Sequence, residues 1–245
     1  MRVSRFLVDQ PLAPGMQLSL PESAATHLVR VLRAGVGATC TLFNGDGCDY
    51  EARVVTIGKR ETRVEVGAAN AVDNESPLRI VLVQALARGE KMDLILQKST
   101  ELGVAGFLPV MSERSEVRLD GERVDKRLDH WRSVVGAACE QCGRAVVPSV
   151  AAPIALAAAM PTLPGGATRL LLDPQAPRTA GQLSLARDGN VVLAVGPEGG
   201  WSPRDRAALQ DAGFEGMRLG PRILRTETAG LAAISALQSR YGDLG

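Results

Sequence analysis

The stretch VVLAVGPEGGWS at residues 191–202 decides the fold. Its first five residues form an uninterrupted apolar run, which is typical of a strand buried on both faces of a parallel sheet. Glycines follow at positions 196, 199 and 200, where the missing Cβ lets a ligand approach the main chain closely. Open α/β sheets bind ligands in the crevice beyond the carboxyl ends of their strands. The stretch therefore predicts a binding loop at the edge of a parallel sheet.

A second stretch, LGPRILRTETA at residues 219–229, predicts another loop of the same kind. It follows a short predicted strand at 217–219 and opens into a helix. A third loop, Asp173-Pro174, follows a predicted strand at 170–172. Because the strands are expected to be parallel, we expect these loops to wall one pocket.

The loops also restrict the ligand. Neither contains the GxxxxGK[ST] or GxGxxG pattern that binds phosphates, and neither contains a lysine. Glu198 and Glu227 instead favour a ligand that is neutral or cationic, and an adenosine bearing a sulfonium fits that description. The alternative is that both are tight turns between strand and helix that serve topology alone.

Composition restricts the class of protein. Of the 245 residues 45% are hydrophobic but only 3% are aromatic, so aliphatic side chains must fill the core. The net charge of +1 gives no overall basic signature, and an RNA substrate would need a local cationic face. With no signal peptide and no apolar run of about 20 residues, we expect a cytoplasmic protein without membrane contact. Four cysteines and two histidines make a metal site hard to build, and we expect none.

The chain divides by pattern into two domains. Residues 1–70 have β-type alternation and predict a small β-barrel, residues 71–77 read as a linker, and residues 78–245 alternate strands with helices. That alternation predicts an α/β domain with a parallel sheet covered on both faces. The elements expected in the first domain are strands at 2–8, 39–43, 50–57 and 62–66 and a helix at 22–33. Those expected in the second are strands at 79–85, 107–110, 170–172, 191–195 and 217–219 and helices at 91–102, 123–144, 203–212 and 226–241.

The two glycine loops together resemble the SPOUT class of S-adenosylmethionine-dependent RNA methyltransferases. The likeness narrows to the family that methylates N3 of a uridine in small-subunit ribosomal RNA. Further matches follow in the family's order and span both halves of the chain: HLVRVLR at 27–33, QKSTELGV at 97–104, ERS at 113–115 and EQCGR at 140–144.

This resemblance implies a fold and a function. The first domain would be PUA-like and RNA-binding, and the second a SPOUT domain with a C-terminal trefoil knot. The substrate would be one uridine of 16S ribosomal RNA in the small ribosomal subunit, the family's uridine 1498. The resemblance also implies a homodimer through the C-terminal domain, and the predicted helix at 226–241 is more apolar than one core contact requires. Burial of that helix inside the monomer is the alternative.

The resemblance also assigns residues to the cofactor S-adenosyl-L-methionine. Three apolar side chains, Leu219, Ile223 and Leu224, would sandwich its adenine. The full set of expected cofactor-binding residues is Leu172, Gly196, Glu198, Gly199, Gly200, Leu219, Gly220, Ile223, Leu224 and Thr228.

Candidate catalytic residues are Arg225, Glu227 and Arg114. Arginine is suited to stabilising charge on the uracil carbonyl oxygens, and Glu227 is a candidate proton acceptor or sulfonium partner. A glutamate at the start of a helix is also expected from the helix dipole alone. The candidate RNA-binding residues are Arg5, Arg30, Arg33 and Arg144.

Two other functions remain open at this point. The chain could be a SPOUT methyltransferase for another ribosomal RNA or transfer RNA nucleotide. It could also be a non-catalytic ribosome assembly factor with a vestigial pocket, although the intact glycines and Glu227 argue for an enzyme.

Overall fold

The computed structural model describes residues 3–59, 61–117, 121–185 and 189–245. The chain forms two compact units. The first comprises Met1–Glu75 and Gly136–Val147, and the second comprises Ser76–Val135 and Pro148–Gly245. The predicted linker at 71–77 contains the first change of unit, whereas residues 136–147 join the first unit from the middle of the chain. The domain limits 1–70 and 78–245 stay a prediction from pattern.

The first unit is built on a five-stranded sheet with the order β1-β3-β4-β5-β2. Strand β1 pairs in parallel with β3, and the other neighbours are antiparallel. The elements are β1 (Arg5–Leu7), β2 (Gln17–Ser19), α1 (Glu22–Thr26), β3 (Thr39–Phe43), β4 (Cys48–Ile57) and β5 (Thr62–Ala71). Alternate residues of β4 and β5, such as Val54 and Val64, enter the core, as a half-buried strand requires.

Strand β1 (Arg5–Leu7) is shorter than the predicted strand at 2–8, and β4 begins two residues before the predicted start at 50. Three further features of this unit differ from the predicted elements. Strand β5 extends beyond its predicted end at 66 to Ala71. The residues after 66 lack an alternating apolar pattern, but they pair with the start of β4, where Cys48 lies opposite Ala71. Strand β2 was not predicted. The predicted helix at 22–33 changes at His27–Val31 to a π-helix, in which the Leu32 N–H donates to the carbonyl of His27. Residue 2, in the first predicted strand, lies outside the described residues.

The second unit contains a seven-stranded sheet in which every pairing is parallel. The main order is β12-β10-β11-β6-β7-β8, and β9 also pairs with β7. The strands are β6 (Arg79–Ala85), β7 (Val104–Met111), β8 (Ser149–Val150), β9 (Ile154–Ala155), β10 (Thr168–Leu172), β11 (Asn190–Val195) and β12 (Glu215–Met217). The helices are α2 (Lys91–Glu101), α3 (Glu122–Cys142), whose residues from Gly136 on belong to the first unit, α4 (Leu156–Ala159), α5 (Pro203–Asp211) and α6 (Thr226–Tyr241).

The predicted parallel α/β sheet is therefore confirmed, and the bounds of β6 and α6 are those expected from the sequence. Strand β7 is longer than predicted and β8 and β9 were not predicted, since strands of two residues carry no readable period. The trefoil knot that the resemblance implies stays a prediction. Within the described part of the chain, none of the helices combines the length and apolar character needed to cross a membrane.

Buried polar side chains anchor both ends of α6. At its end, the amide of Gln238 is fully buried, donates to the Leu102 carbonyl and accepts from the Ser76 hydroxyl at 2.6 Å. At its start, Thr226 is buried beside the sheet. Because both ends are held, the residues in the first turn of α6 have fixed positions relative to β6 and β11.

Arg5 organises the first unit. Its side chain is 7% exposed, forms two hydrogen bonds with the Asp49 carboxylate at 2.5 and 3.1 Å, and lies over the Phe43 ring. It also donates to the carbonyls of Cys139 and Arg144. One guanidinium therefore joins the sheet of this unit to its 136–147 segment.

We expect Arg5→Met to lower the free energy of unfolding of the first unit by about 2 kcal/mol, because a partly buried carboxylate and two carbonyls lose their donor. Urea denaturation followed by circular dichroism would measure the loss. Arg53→Met is the control, since Arg53 is exposed and makes one long hydrogen bond. Equal stability of the two variants would contradict this role for Arg5.

Candidate ligand-binding site

A cavity of about 450 Å³ lies at the carboxyl edge of the parallel sheet in the second unit. Its walls come from the loops after β10, β11 and β12, together with the start of α2 and the start of α6. The volume is within the range of small-molecule sites, roughly 300–1,000 Å³. Both glycine loops and the Asp173-Pro174 loop therefore wall one pocket, as the sequence predicted.

Nine of the ten residues expected to bind the cofactor lie in the wall of this cavity. They are Leu172, Gly196, Glu198, Gly199, Gly200, Leu219, Gly220, Ile223 and Leu224. The tenth, Thr228, is exposed in the first turn of α6 and lies outside the wall formed by the described residues. Ile223 is on the rim, where 84% of it is exposed.

Two glycines of the wall meet a steric requirement. Gly220 has a φ of +77°, a left-handed conformation that disfavours residues with a Cβ. Gly196 has an ordinary φ, but a Cβ there would lie 3.3 Å from the Trp201 Nε1 and 3.4 Å from two ring carbons. The main chain at Gly196 therefore packs directly on the Trp201 indole, and the loop after β11 can remain close to the sheet.

Glu198 is held by groups from the β6–α2 connection. Its Oε1 accepts from the Lys91 ammonium at 2.8 Å and from the Arg88 N–H at 3.2 Å. Partial burial raises the pKa of the Glu198 carboxyl, but the hydrogen bonds from Lys91 and from main-chain N–H groups lower it further, so the pKa lies below its ordinary value of 4.5. Glu198 is therefore ionised at neutral pH and is partly neutralised by Lys91.

Lys91 also connects Glu198 with Glu227. The Lys91 ammonium is 4.0 Å from the Glu227 Oε2, and this buried oxygen has no hydrogen-bond partner among the described residues. Lys91 therefore partly neutralises two carboxylates, Glu198 in the wall and Glu227, which follows Thr226 of the wall, whereas the sequence suggested two unopposed carboxylates. The wall also contains Arg206, Arg222 and Arg225, so the preference for a neutral or cationic ligand stays a prediction.

The two candidate catalytic arginines have different positions. Arg225 is exposed, lies in the cavity wall and occupies the N-cap position of α6, where its carbonyl accepts from the N–H groups of Thr228 and Ala229. Arg114 follows β7 and donates to the carbonyl of Gly199 at 3.0 Å. That contact favours a role for Arg114 in holding the glycine loop.

Residues of the wall that the sequence did not single out as candidates include Lys91, Trp201, Arg206 and Arg222. Asp173 was expected there only as part of the third loop. Asp173 forms an ion pair with Arg206 of α5. This pair joins the loop after β10 to the helix that follows the glycine loop after β11. Trp201 was visible within the quoted motif. No sequence pattern indicated Lys91 as a site residue, because its role depends on the distance between the start of α2 and the loop after β11.

The four candidate RNA-binding arginines, all in the first unit, are of two kinds. Arg5 and Arg144 have side chains that are 7% and 6% exposed and are paired with Asp49 and Glu75. Their burial favours a structural role, so an RNA contact by either stays an untested prediction. Arg30 and Arg33 are exposed, on the π-helix and just after it. They remain available to a phosphate backbone.

A parallel α/β sheet with a cavity of this size at its carboxyl edge is typical of α/β proteins that bind small molecules. A family model described as an RNA methyltransferase domain matches residues 74–238, and one described as an RNA methyltransferase PUA domain matches residues 20–66. The first match covers more than half of the chain. The chain therefore belongs to the RNA methyltransferase family, with a PUA domain ahead of the α/β domain.

Relatives match over nearly the whole chain. Ribosomal RNA small subunit methyltransferase E of Mycobacterium bovis is 36% identical over 96% of this chain and 92% of its own length. The protein of the same name from Buchnera aphidicola is 32% identical over 99% and 98%. A crystal structure of that methyltransferase from Neisseria gonorrhoeae, bound to S-adenosyl methionine, is 41% identical with a TM-score of 0.94 and complete coverage of both chains. A structure from Legionella pneumophila, also in complex with this cofactor, is 37% identical with a TM-score of 0.92 over both complete chains.

We expect Lys91→Met to raise the pKa of the Glu198 carboxyl, because burial then acts without the ammonium that opposes it. In the wild type, the depressed pKa contributes stability that is fully present above pH 4.5 and is lost as pH falls through the folded-state pKa. The variant should lack this acid-range contribution. Carbon NMR of the carboxyl group during a pH titration measures the shift.

Lys98→Met is the matched control for this titration. Lys98 lies on the same helix and makes a 2.8 Å ion pair with Glu101, so its removal should leave the Glu198 titration unchanged. An unchanged Glu198 midpoint in Lys91→Met would show that Lys91 does not control this carboxylate.

Proposed function

We propose that this protein transfers a methyl group from S-adenosyl-L-methionine to N3 of one specific uridine in 16S ribosomal RNA, and that it acts in the cytoplasm on the small ribosomal subunit. The single observation that carries the proposal is the cavity walled by both glycine loops and by the start of α6, where Glu227 follows Thr226 of the wall. The S-adenosyl methionine in the Neisseria gonorrhoeae relative supports the choice of cofactor.

The residues present fit this cofactor. Bare main chain at Gly196, Gly199 and Gly200 leaves room for close approach, and Leu172, Leu219 and Leu224 offer apolar surface for an adenine. Charged groups of the wall, among them Glu198 and Arg225, supply polar contacts. The cavity therefore combines apolar walls with a small number of polar groups, as is usual for cofactor sites.

When bound, S-adenosylmethionine supplies a methyl group already activated on a positively charged sulfur. The task of the chain is then to hold the acceptor in line with that group and to prepare it for attack. Arg114 contributes by holding the Gly199 carbonyl, and Trp201 contributes by supporting Gly196. These contacts restrict movement of the loop after β11.

N3 of uracil attacks poorly while it carries a proton, so a base is needed. Glu227 is suited to accept that proton, because its side chain is 15% exposed and its Oε2 has no hydrogen-bond donor among the described residues. Arg225, two residues before Glu227, is exposed in the cavity wall and can stabilise negative charge that develops on the uracil carbonyl oxygens. We infer that Glu227 is the proton acceptor and Arg225 the electrostatic partner.

The first unit would bind ribosomal RNA. Its exposed Arg30 and Arg33 can contact phosphates, which supply most of the affinity in RNA binding. The family match to an RNA methyltransferase PUA domain at residues 20–66 includes both arginines and supports this assignment.

We also propose a homodimer through α6. Ala232 and Ala236 are one turn apart on this helix, Leu231 lies about 100° round the helix from Ala232, and all three are only partly buried in the monomer. Burial of these side chains against a second copy would remove their apolar surface from water.

Mass spectrometry of ribosomal RNA tests the reaction. In cells lacking the gene, 3-methyluridine should be missing from 16S ribosomal RNA and restored by the wild type. Glu227→Gln should reduce methyl transfer by at least about a hundredfold while calorimetry still detects cofactor binding, because the amide removes the base alone. Gly199→Trp should abolish both, since the indole would enter the cavity.

Glu215→Gln is the control for charge, because Glu215 is exposed on β12 and paired with Arg178. Loss of a different methylated nucleotide would replace the uridine assignment by another RNA target. A wild-type dissociation constant for the cofactor above about 1 mM would favour a non-catalytic assembly factor.

Sedimentation equilibrium tests the dimer. The wild type should have twice the 25.8 kDa mass of one chain, and Leu231→Glu should sediment as a monomer because a carboxylate cannot be buried unpaired. Ser239→Glu, on the exposed end of the same helix, should remain dimeric. A monomeric wild type would refute the proposed interface.

A further inference from the structure

Two buried polar side chains, Gln84 and Thr226, lie beneath the loop after β11. Gln84 is in the middle of the sheet, fully buried, with Val195 opposite it on one side and Pro109 on the other. Thr226 is 6% exposed at the first position of α6. Polar groups in such positions are costly unless hydrogen-bonded, so their partners indicate what they do.

Successive hydrogen bonds lead from the Gln84 amide to the Thr226 hydroxyl and from that hydroxyl to the Gly196 carbonyl. The Gln84 Nε2 donates to the Thr226 Oγ1 at 3.1 Å, and the Thr226 hydroxyl donates to the Gly196 carbonyl at 2.6 Å. The same Nε2 also donates to the Ala85 carbonyl at 2.9 Å. If the Gln84 amide were flipped, its oxygen would face the Thr226 Oγ1 and the Ala85 carbonyl oxygen, so the amide nitrogen must face Thr226. The hydroxyl has one proton, which it gives to Gly196.

The peptide that receives this hydrogen bond is unusual. Pro197 has no N–H, so the carbonyl of Gly196 is the only polar hydrogen-bonding group of that peptide unit. The Gly196 main chain also packs against the Trp201 indole. Thr226 therefore determines the orientation of the peptide that begins the glycine loop, and no other group of that peptide can do so.

We propose that Thr226 is a positioning residue that locks the glycine loop to the start of α6, with Gln84 orienting its hydroxyl. Thr226 is adjacent to Arg225 and Glu227, so one hydrogen bond sets the distance between the cofactor loop and the residues proposed to act on uracil. This inference rests on the proposed methyl transfer and assigns no chemical step to Thr226 itself. Alignment of the reacting groups depends strongly on such distances.

Three variants test the role of the hydroxyl. Thr226→Val keeps the shape but removes the donor, and it should weaken S-adenosylmethionine binding about tenfold in calorimetry. It should also lower kcat at saturating cofactor and RNA by about tenfold or more. Thr226→Ser, which retains the hydroxyl, should restore both values to within about twofold of the wild type.

Thr100→Val is the matched control for loss of a buried hydroxyl. Thr100 is fully buried in α2 and donates to the Leu96 carbonyl at 2.8 Å, away from the cavity wall. It should lower the thermal midpoint without changing cofactor affinity or kcat. If Thr226→Val behaves in the same way, Thr226 is structural only and the inference is overturned.

Trp201 gives a readout that needs neither cofactor nor RNA. In a Trp131→Phe background, Trp201 is the single tryptophan, and its burial protects it from acrylamide. Release of the Gly196 peptide in Thr226→Val should raise the quenching constant about twofold or more. Thr226→Ser and Thr100→Val should leave it unchanged. Unchanged quenching in Thr226→Val would contradict a lock on this loop.

A double-mutant cycle tests the part played by Gln84. Gln84→Met removes the amide donor at similar volume and should reduce cofactor affinity less than Thr226→Val does. The double variant should bind no more weakly than Thr226→Val, because Gln84 acts through the hydroxyl. If the losses of cofactor affinity in the two single variants multiplied in the double variant, Gln84 would act independently of the Thr226 hydroxyl. Absence of cofactor binding by the wild type would refute the proposed function, whereas normal binding by Thr226→Val would refute this inference alone.

Discussion

Parallel pairing in the second unit brings the carboxyl ends of its strands to one edge, because Leu171 lies opposite Ala194 and Gly216, and Val195 lies opposite Gln84. Every wall of the cavity depends on this register. Antiparallel pairing of any of these strands would send its following loop to the opposite edge. The glycines would then remain suitable for a ligand but would no longer face a common space. The site therefore depends more on the direction of the strands than on the composition of the loops.

Charge balance in the cavity depends on the same arrangement. The connection from β6 to α2 ends beside the loop after β11, which brings Lys91 to Glu198 and within 4.0 Å of Glu227. One cation between two carboxylates stabilises their ionised form. The first turn of α6 favours carboxylates as well, since a helix N-terminus carries partial positive charge. The Glu227 carboxylate therefore stabilises the start of α6 and is also the group that we propose accepts the proton.

The arginines of the first unit illustrate a limit of sequence reasoning. Arg5, Arg30, Arg33 and Arg144 are equally plausible RNA contacts when read along the chain. The fold separates them: Arg5 and Arg144 are buried in ion pairs, whereas Arg30 and Arg33 are exposed. The separation depends on Asp49 and Glu75, which are distant in sequence from their partners. A local pattern cannot report such pairs, because the side chains meet only after the sheet and the 136–147 segment have formed.

The resemblance to a known family supplied the cofactor residues, nine of which lie in the cavity wall. Apolar periodicity and glycine placement by themselves determined the parallel α/β domain, the bounds of β6 and α6 and the glycine loops that wall the cavity. These features are local, since strand and helix periods and the missing Cβ of glycine act within a few residues. Only the tertiary structure decided that Lys91 neutralises one carboxylate, that Arg114 holds the Gly199 carbonyl and that Gln84 directs Thr226 onto Gly196. The contacts of Lys91, Arg114 and Gln84 join residues more than 80 positions apart, and Thr226 lies 30 positions from Gly196, so only the folded chain brings their atoms within hydrogen-bonding distance.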